Sequence, residues 1–220
     1  HRYIRRQRQM CIRDRQNIMF ADFRRDPEQY PLKTPSGKIE IFSSTVASFA
    51  YDDCLGHPAW FAPPEWLGAA EDTYPLHLLS NQPRTKLHSQ LDQGPVAAAA
   101  KIKGREEVHM HEDDAAARGI EEGDIIRLFN ARGAIYVGVR ITDQIRHGVV
   151  MVPTGAWLDL DKDDPELCKH GNPNMLAPDR PTSKLAQGPA AHSCLVQAEA
   201  VDQTRLPEVT AFIPPVIEKG

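Results

Sequence analysis

Between residues 107 and 152 short apolar runs alternate with turn signals, and after residue 123 no connection is long enough to hold a helix. Residues 125–130 read as a strand, Arg132-Gly133 as a turn, and residues 134–141 as the return strand, with Ile135, Val137, Val139 and Ile141 on one face. Arg146-His147-Gly148 turns the chain again, and residues 149–152 form a continuous apolar strand that stops at Pro153. Upstream, residues 107–110 read as a strand and residues 111–119 as a short helix, with acids in its first turn, Arg118 in its last and Gly119 at its stop. Ile120 then packs down, and residues 193–200 supply a closing strand. Short strands joined by short connections predict a small closed barrel, which leaves no open sheet edge. Ile125, Leu128, Val137, Val139, Val149 and Met151 are its expected core.

The stretch at residues 76–94 reads L-H-L-L-S-N-Q-P-R-T-K-L-H-S-Q-L-D-Q-G. Residues 76–79 form an apolar run with the look of a buried strand, and Pro83 prevents its continuation. Ser80, Asn81, Gln82, Lys86, His88, Ser89, Gln90, Asp92 and Gln93 follow. Amides and hydroxyls each offer a donor, an acceptor or both, so such a loop suits the edge of a heterocycle and a diphosphate. Lys86 would neutralise a phosphate. By composition alone a solvated polar loop reads the same way.

The motif L-L-S-N-Q-P followed by L-H-S-Q resembles the opening of the cofactor-binding C-terminal domain of the molybdopterin oxidoreductases, with the S- and N-oxide reductases as the most similar subgroup. Those are the dimethyl sulfoxide, trimethylamine N-oxide and biotin sulfoxide reductases. The resemblance extends over about residues 20–201, including T-P-S-G-K-I-E-I-F at residues 34–42, which resembles the tail of the family's catalytic body. It implies a mainly β fold with short helices. The barrel would be of the double-psi type, preceded by an irregular segment of the upstream catalytic body. The implied organisation is a leader at 1–16, the catalytic-body tail and linker at 17–74, the dinucleotide-binding barrel at 75–201 and a tail at 202–220.

The resemblance also implies a cofactor, molybdenum-bis(molybdopterin guanine dinucleotide), and removal of oxygen from an S- or N-oxide with electrons from a donor protein. Ser80, Asn81, Gln82, Pro83, Lys86, His88, Ser89 and Gln90 would form one wall of the dinucleotide site. Asn172, in Gly171-Asn172-Pro173-Asn174, and Ser183 and Gln187, in the segment at 182–188, would complete it. Position 86 carries Arg or Lys in the family, and this chain fits. The family's protein ligand to molybdenum lies in an upstream domain, so no catalytic or metal residue is assigned here, Ser80 included. Upstream catalytic domains of the same polypeptide would be partners, and a chain that opens on His is expected to be part of a longer one. A free-standing nucleotide- or partner-binding barrel without redox activity is the alternative. A self-contained hydrolase or decarboxylase lacks a nucleophile–base motif.

The chain's 220 residues suit one large domain plus a flanking piece, and 41% hydrophobic with 25% charged residues is ordinary for a globular protein. No run of 18 apolar residues occurs, so no membrane-spanning helix is expected. The net charge of −4 is uneven: residues 1–16 hold six Arg and one Asp, leaving 20 basic against 29 acidic residues in the body. An acidic body gives no nucleic-acid footprint. The basic leader has no apolar segment after its charges, so it is not a secretory signal, and it is expected to be disordered or non-native. Without a targeting signal both periplasm and cytoplasm stay open.

Cys11, Cys54, Cys168 and Cys194 make no C-x-x-C pair, so an iron–sulfur cluster is not indicated. Cys168/His170 and His192/Cys194 would form a zinc site only if all four converged, and none is assigned. Asp159, Asp161, Asp163 and Asp164 lack the spacing of a calcium loop and are expected in a solvated loop. Residues 38–42 alternate as a half-buried strand, and residues 43–49 read as a short helix. Residues 51–74 are aromatic and Pro-rich, a stretch that wraps a surface and anchors by Trp, with His57 in a structural role.

Overall fold

The computed structural model describes residues 18–213, so the reading of the leader at 1–16 lies outside the described residues. The chain forms two compact units, one through Ala59 and the other from Trp60 onward.

The first unit carries two short helices, α1 (Ala21–Arg25) and α2 (Ser44–Ala47). Ser43 caps α2, its Oγ accepting from Val46 N at 3.3 Å. The T-P-S-G signal makes its turn, with Gly37 at φ 69° and Leu32 N donating to Gly37 O at 2.8 Å. The expected strand at 38–42 does not form. Ile39 and Ile41 are 73% and 79% exposed. Alternation fits a strand only where a second strand satisfies its backbone, and no described strand lies alongside. The His57 ring stacks on Phe42 at 6.1 Å, a structural contact.

The second unit is a barrel. Its strands are β1 (Leu76–Leu79), β2 (Glu107–His111), β3 (Ile125–Asn130), β4 (Gly133–Thr142), β5 (Val149–Met151), β6 (Leu167–Cys168) and β7 (Leu195–Ala200). Six of them run in the order β2-β5-β1-β7-β3-β4, and β4 pairs back to β2 to close the circle. Two pairings within the circle are parallel, β1 with β5 and β2 with β4, crossing connections that turn a simple meander into a double-psi barrel. The others in the circle are antiparallel. β6 adds to the start of β4. Strand β4 leaves β3 and joins β2 at Gly138, which pairs with Ile125 on one side and Glu107 on the other. A Cβ there would fall 2.2 Å from Ile102 Cβ, so only glycine lets the strand pass.

Apolar residues facing inward fill the barrel: Leu76, Leu78, Val108, Met110, Ile126, Leu128, Val137, Val139, Val150 and Val196 are all essentially inaccessible. Of the expected core, Met151 is only half-buried, because β5 is short and its last residue reaches the rim. The β3–β4 hairpin is pinned by buried Asn130. Its Nδ2 donates to Leu176 O and Leu195 O, both at 3.0 Å, and its Oδ1 accepts from Arg132 N at 3.0 Å.

Two helices decorate the barrel, α3 (Pro95–Ala100) and α4 (Glu112–Ala116). His111 caps α4, its Nδ1 accepting from Asp113 N, and buried Asp114 accepts from Gly148 N at 2.7 Å, tying the helix to the turn before β5. The aromatic stretch from Trp60 joins this unit. Glu65 accepts from the two terminal guanidinium nitrogens of Arg132 at 2.7 and 2.8 Å and from Leu195 N at 2.8 Å. Among the described residues no helix is long and apolar enough to cross a membrane.

Candidate functional site

Parallel strands β1 and β5 end side by side, so the loops that follow them leave from the same end of the barrel. The ladder continues past the strands: Val152 N donates to Leu79 O and Thr154 N to Asn81 O, each at 2.9 Å. The β5 loop then turns at Gly155, φ 93°, against the backbone of His88, itself at φ 50°. Trp157 Nε1 donates to Ser89 O at 2.8 Å. Residues 169–174 arrive from β6, because Glu106 N donates to His170 O at 3.1 Å.

These segments enclose a cleft of about 620 Å³ lined by His88, Ser89, Thr154, Gly155, Ala156, Trp157, Leu158, Asn172 and Asn174. Asn172 and Asn174 rest on the 3-10 turn Pro173–Met175, where Asn172 Oδ1 accepts from Asn174 N at 3.0 Å. Asn174 also lines a second cleft, of about 410 Å³, with Gln187 and Arg180. Of the residues expected at one site, His88, Ser89 and Asn172 therefore share a cleft, and Gln187 lines its neighbour. Asn81 and Pro83 line a different cleft, with His109 and Met151. Gln82 is exposed and its Nε2 lies 3.1 Å from His88 Nδ1. Gln90 is exposed, its backbone N–H closing a turn on Leu87 O. Ser183 Oγ accepts from Ala186 N within its own loop.

The Lys86 side chain turns inward. Its ammonium is buried between Asp92, at 2.7 Å, and Glu106. Lys101 shares both carboxylates, at 2.9 and 3.2 Å. Burial works against the charged ammonium of Lys86, but pairing with Asp92 and Glu106 outweighs it and holds its pKa above the usual value. Burial likewise opposes ionisation of Asp92, and the two lysines overcome it and lower its pKa. His170 is pushed down by burial and by the Lys101 charge, so it sits neutral, with Nδ1 3.0 Å from Trp157 O.

Sequence reasoning missed Thr154, Gly155 and Trp157, although Pro153 marked where their loop begins. It also missed the tail. Phe212 packs on Trp157 and His170 with ring centroids 5.3 and 5.0 Å apart. Thr210 binds Asp159, which is buried and paired with Lys169 at 3.3 Å. Asp159 is thus no part of the solvated acidic loop expected for it.

Among the described residues no group of three or more His, Cys, Asp and Glu is arranged to hold a metal. Cys168 and Cys194 are free, buried thiols, and burial pushes Cys194 up to about 11.

Ser80 Oγ, Asn81 Oδ1 and Thr154 Oγ1 are buried without a protein partner, on residues joined by the β1–β5 ladder. Buried polar groups of this kind ask for a ligand or water. The Molydopterin dinucleotide binding domain family model matches residues 76–195. The chain belongs to this family. That span runs from the first residue of β1 to the first residue of β7, so it contains the cleft just described.

Curated relatives of this dinucleotide-binding chain are reductases. It is 47% identical to the biotin sulfoxide reductase of Cereibacter sphaeroides over 86% of this chain and 25% of the relative. It is 44% identical to the trimethylamine-N-oxide reductase of Haemophilus influenzae over 90% and 24%. It is 43% identical to the dimethyl sulfoxide/trimethylamine N-oxide reductase of Cereibacter sphaeroides over 83% and 22%. The chain thus spans about a quarter of the length of the curated relatives it matches. Among solved structures, the acetylene hydratase of Pelobacter acetylenicus superposes with a TM-score of 0.65 at 19% identity, covering 80% of this chain and 25% of that one, a likeness of fold.

Proposed function

We propose that the cleft between His88–Ser89, the Gly155 loop and Asn172 receives the nucleotide end of a molybdopterin guanine dinucleotide, within an oxidoreductase that takes oxygen from S- or N-oxides. The observation that carries this reading is the meeting of two loops from distant parts of the sequence over one cleft, where the Thr154 hydroxyl is buried without a protein partner. Guanine presents donors and acceptors, which the Asn172 and Asn174 amides lining this cleft match. Phosphate oxygens need N–H and hydroxyl donors, which Ser89, Thr154 and loop backbone offer. Lys86 is not among the contacts, since its charge is already matched.

When bound, in the form of two guanine dinucleotides per metal, the cofactor would supply the redox chemistry at molybdenum. The barrel's own work is to hold and orient the nucleotide. The net reaction takes an oxide, electrons from a donor protein and protons to the deoxygenated compound and water. The protein ligand to the metal and the contacts to a small oxide would come from other parts of a longer polypeptide, as in the resemblance at residues 34–42.

The test is guanine and molybdenum content per purified full-length enzyme for His88→Ala, Asn172→Ala and Thr154→Val. Each lost buried hydrogen bond should weaken retention by about tenfold. Wild-type content in all three would sink the assignment. Guanine nucleotide retained without molybdenum would instead support a binding barrel without redox activity.

A further inference from the structure

We infer that Asp92 is the positioning residue that sets the spacing between the two walls of the dinucleotide cleft. The inference rests on the reading of that cleft given above. Asp92 is fully buried. Its Oδ1 accepts from Lys86 Nζ at 2.7 Å and from Lys101 Nζ at 2.9 Å. Its Oδ2 accepts from Trp157 N at 3.0 Å. One carboxylate thereby ties the loop after β1, the end of α3 and the loop after β5.

Trp157 is the piece so held. Its backbone N–H is fixed by Asp92 and its carbonyl lies 3.0 Å from His170 Nδ1, while its indole N–H donates to Ser89 O across the cleft wall. A shift of Asp92 therefore moves Trp157 and, through it, Ser89. The second carboxylate, Glu106, contacts the same two lysines. Two ammonium groups and two carboxylates balance, so the cluster stays buried without net charge. Apolar side chains would fill the same volume with no desolvation cost. Unlike them, hydrogen-bonded charges specify direction, and here the directions converge on the cleft wall.

The experiment uses full-length enzyme with Asp92→Asn, which keeps one oxygen for the Trp157 N–H, and Trp157→Phe, which removes the indole bond to Ser89 while keeping an aromatic ring against Phe212. Two readouts are taken: guanine released over time, and backbone hydrogen exchange by mass spectrometry. In Asp92→Asn, exchange should rise in peptides covering 86–92 and 154–158 and stay at wild-type rates in β3 and β4, with guanine lost about tenfold faster. Trp157→Phe should raise exchange at 86–92 and speed release by a smaller factor. Wild-type release in both variants overturns the inference, as does exchange raised equally in β3 and β4, which marks general destabilisation. His88→Ala separates the two readings. If it releases guanine and Asp92→Asn does not, the positioning role alone fails; if neither does, the cleft itself is misassigned.

Discussion

Gly155 and His88 approach so closely that a Cβ on Gly155 would lie 1.9 Å from His88 O. The β5 loop can lean on the β1 loop only because position 155 has no side chain and tolerates φ 93°. Gly155→Ala should therefore lower stability by about 2–4 kcal/mol, from a forced backbone shift plus left-handed strain. Urea unfolding followed by circular dichroism measures it; a loss below about 0.5 kcal/mol would mean that the two loops separate freely.

Lys86 offers a contrast between two kinds of lysine. A phosphate-binding lysine would lose cofactor in a salt-dependent way when mutated. Lys86 is instead the buried partner of Asp92 and Glu106, so Lys86→Ala should cost about 3–5 kcal/mol of folding stability, nearly the same at low and high salt. Normal stability with salt-sensitive cofactor loss would restore the phosphate role.

Glu65 anchors the Trp60 stretch to the barrel. Burial raises its pKa, but the bonds from Arg132 and Leu195 N outweigh this and hold it below the ordinary 4.5. A depressed folded-state pKa contributes stability above the unfolded value, and that share is lost as pH falls through the folded value. Glu65→Gln should cost about 1–3 kcal/mol at neutral pH and flatten the stability curve below about pH 4.5. Thermal melts of both proteins across this range decide it; parallel curves would show the carboxylate to be uninvolved.

Asn130 closes the β3–β4 hairpin through two buried carbonyls. Asn130→Ala should destabilise by about 2–3 kcal/mol, and Asn130→Asp by at least as much, since a carboxylate cannot donate to them. Chemical denaturation at neutral pH checks the order; an aspartate variant as stable as wild type would contradict it.

The barrel strands were legible because period-two apolar runs punctuated by turn residues have few other folded outcomes, and five of the six expected core residues are buried. The strand at 38–42 was misread for the same reason. Its alternation is real, but alternation carries no information about whether a partner strand is present. In the cleft, amide and hydroxyl groups were legible by type, while Asp92 was one more polar residue in a polar loop and Trp157 lay far along the chain. Residues 202–213 have no periodicity, yet Phe212 covers the Trp157–His170 contact.

What the sequence by itself determined is local: the apolar alternation of the barrel strands, where glycine must turn the chain, and which loops carry hydrogen-bonding groups. Backbone geometry and side-chain chemistry act within a few residues, so they can be read there. Tertiary structure alone decided that β1 lies parallel to β5, that Gly155 meets His88, and that Lys86 spends its charge inward on Asp92 and Glu106. Those outcomes depend on which charges and backbones barrel closure brings within a few ångströms, and distance in space is not written in the spacing along the chain.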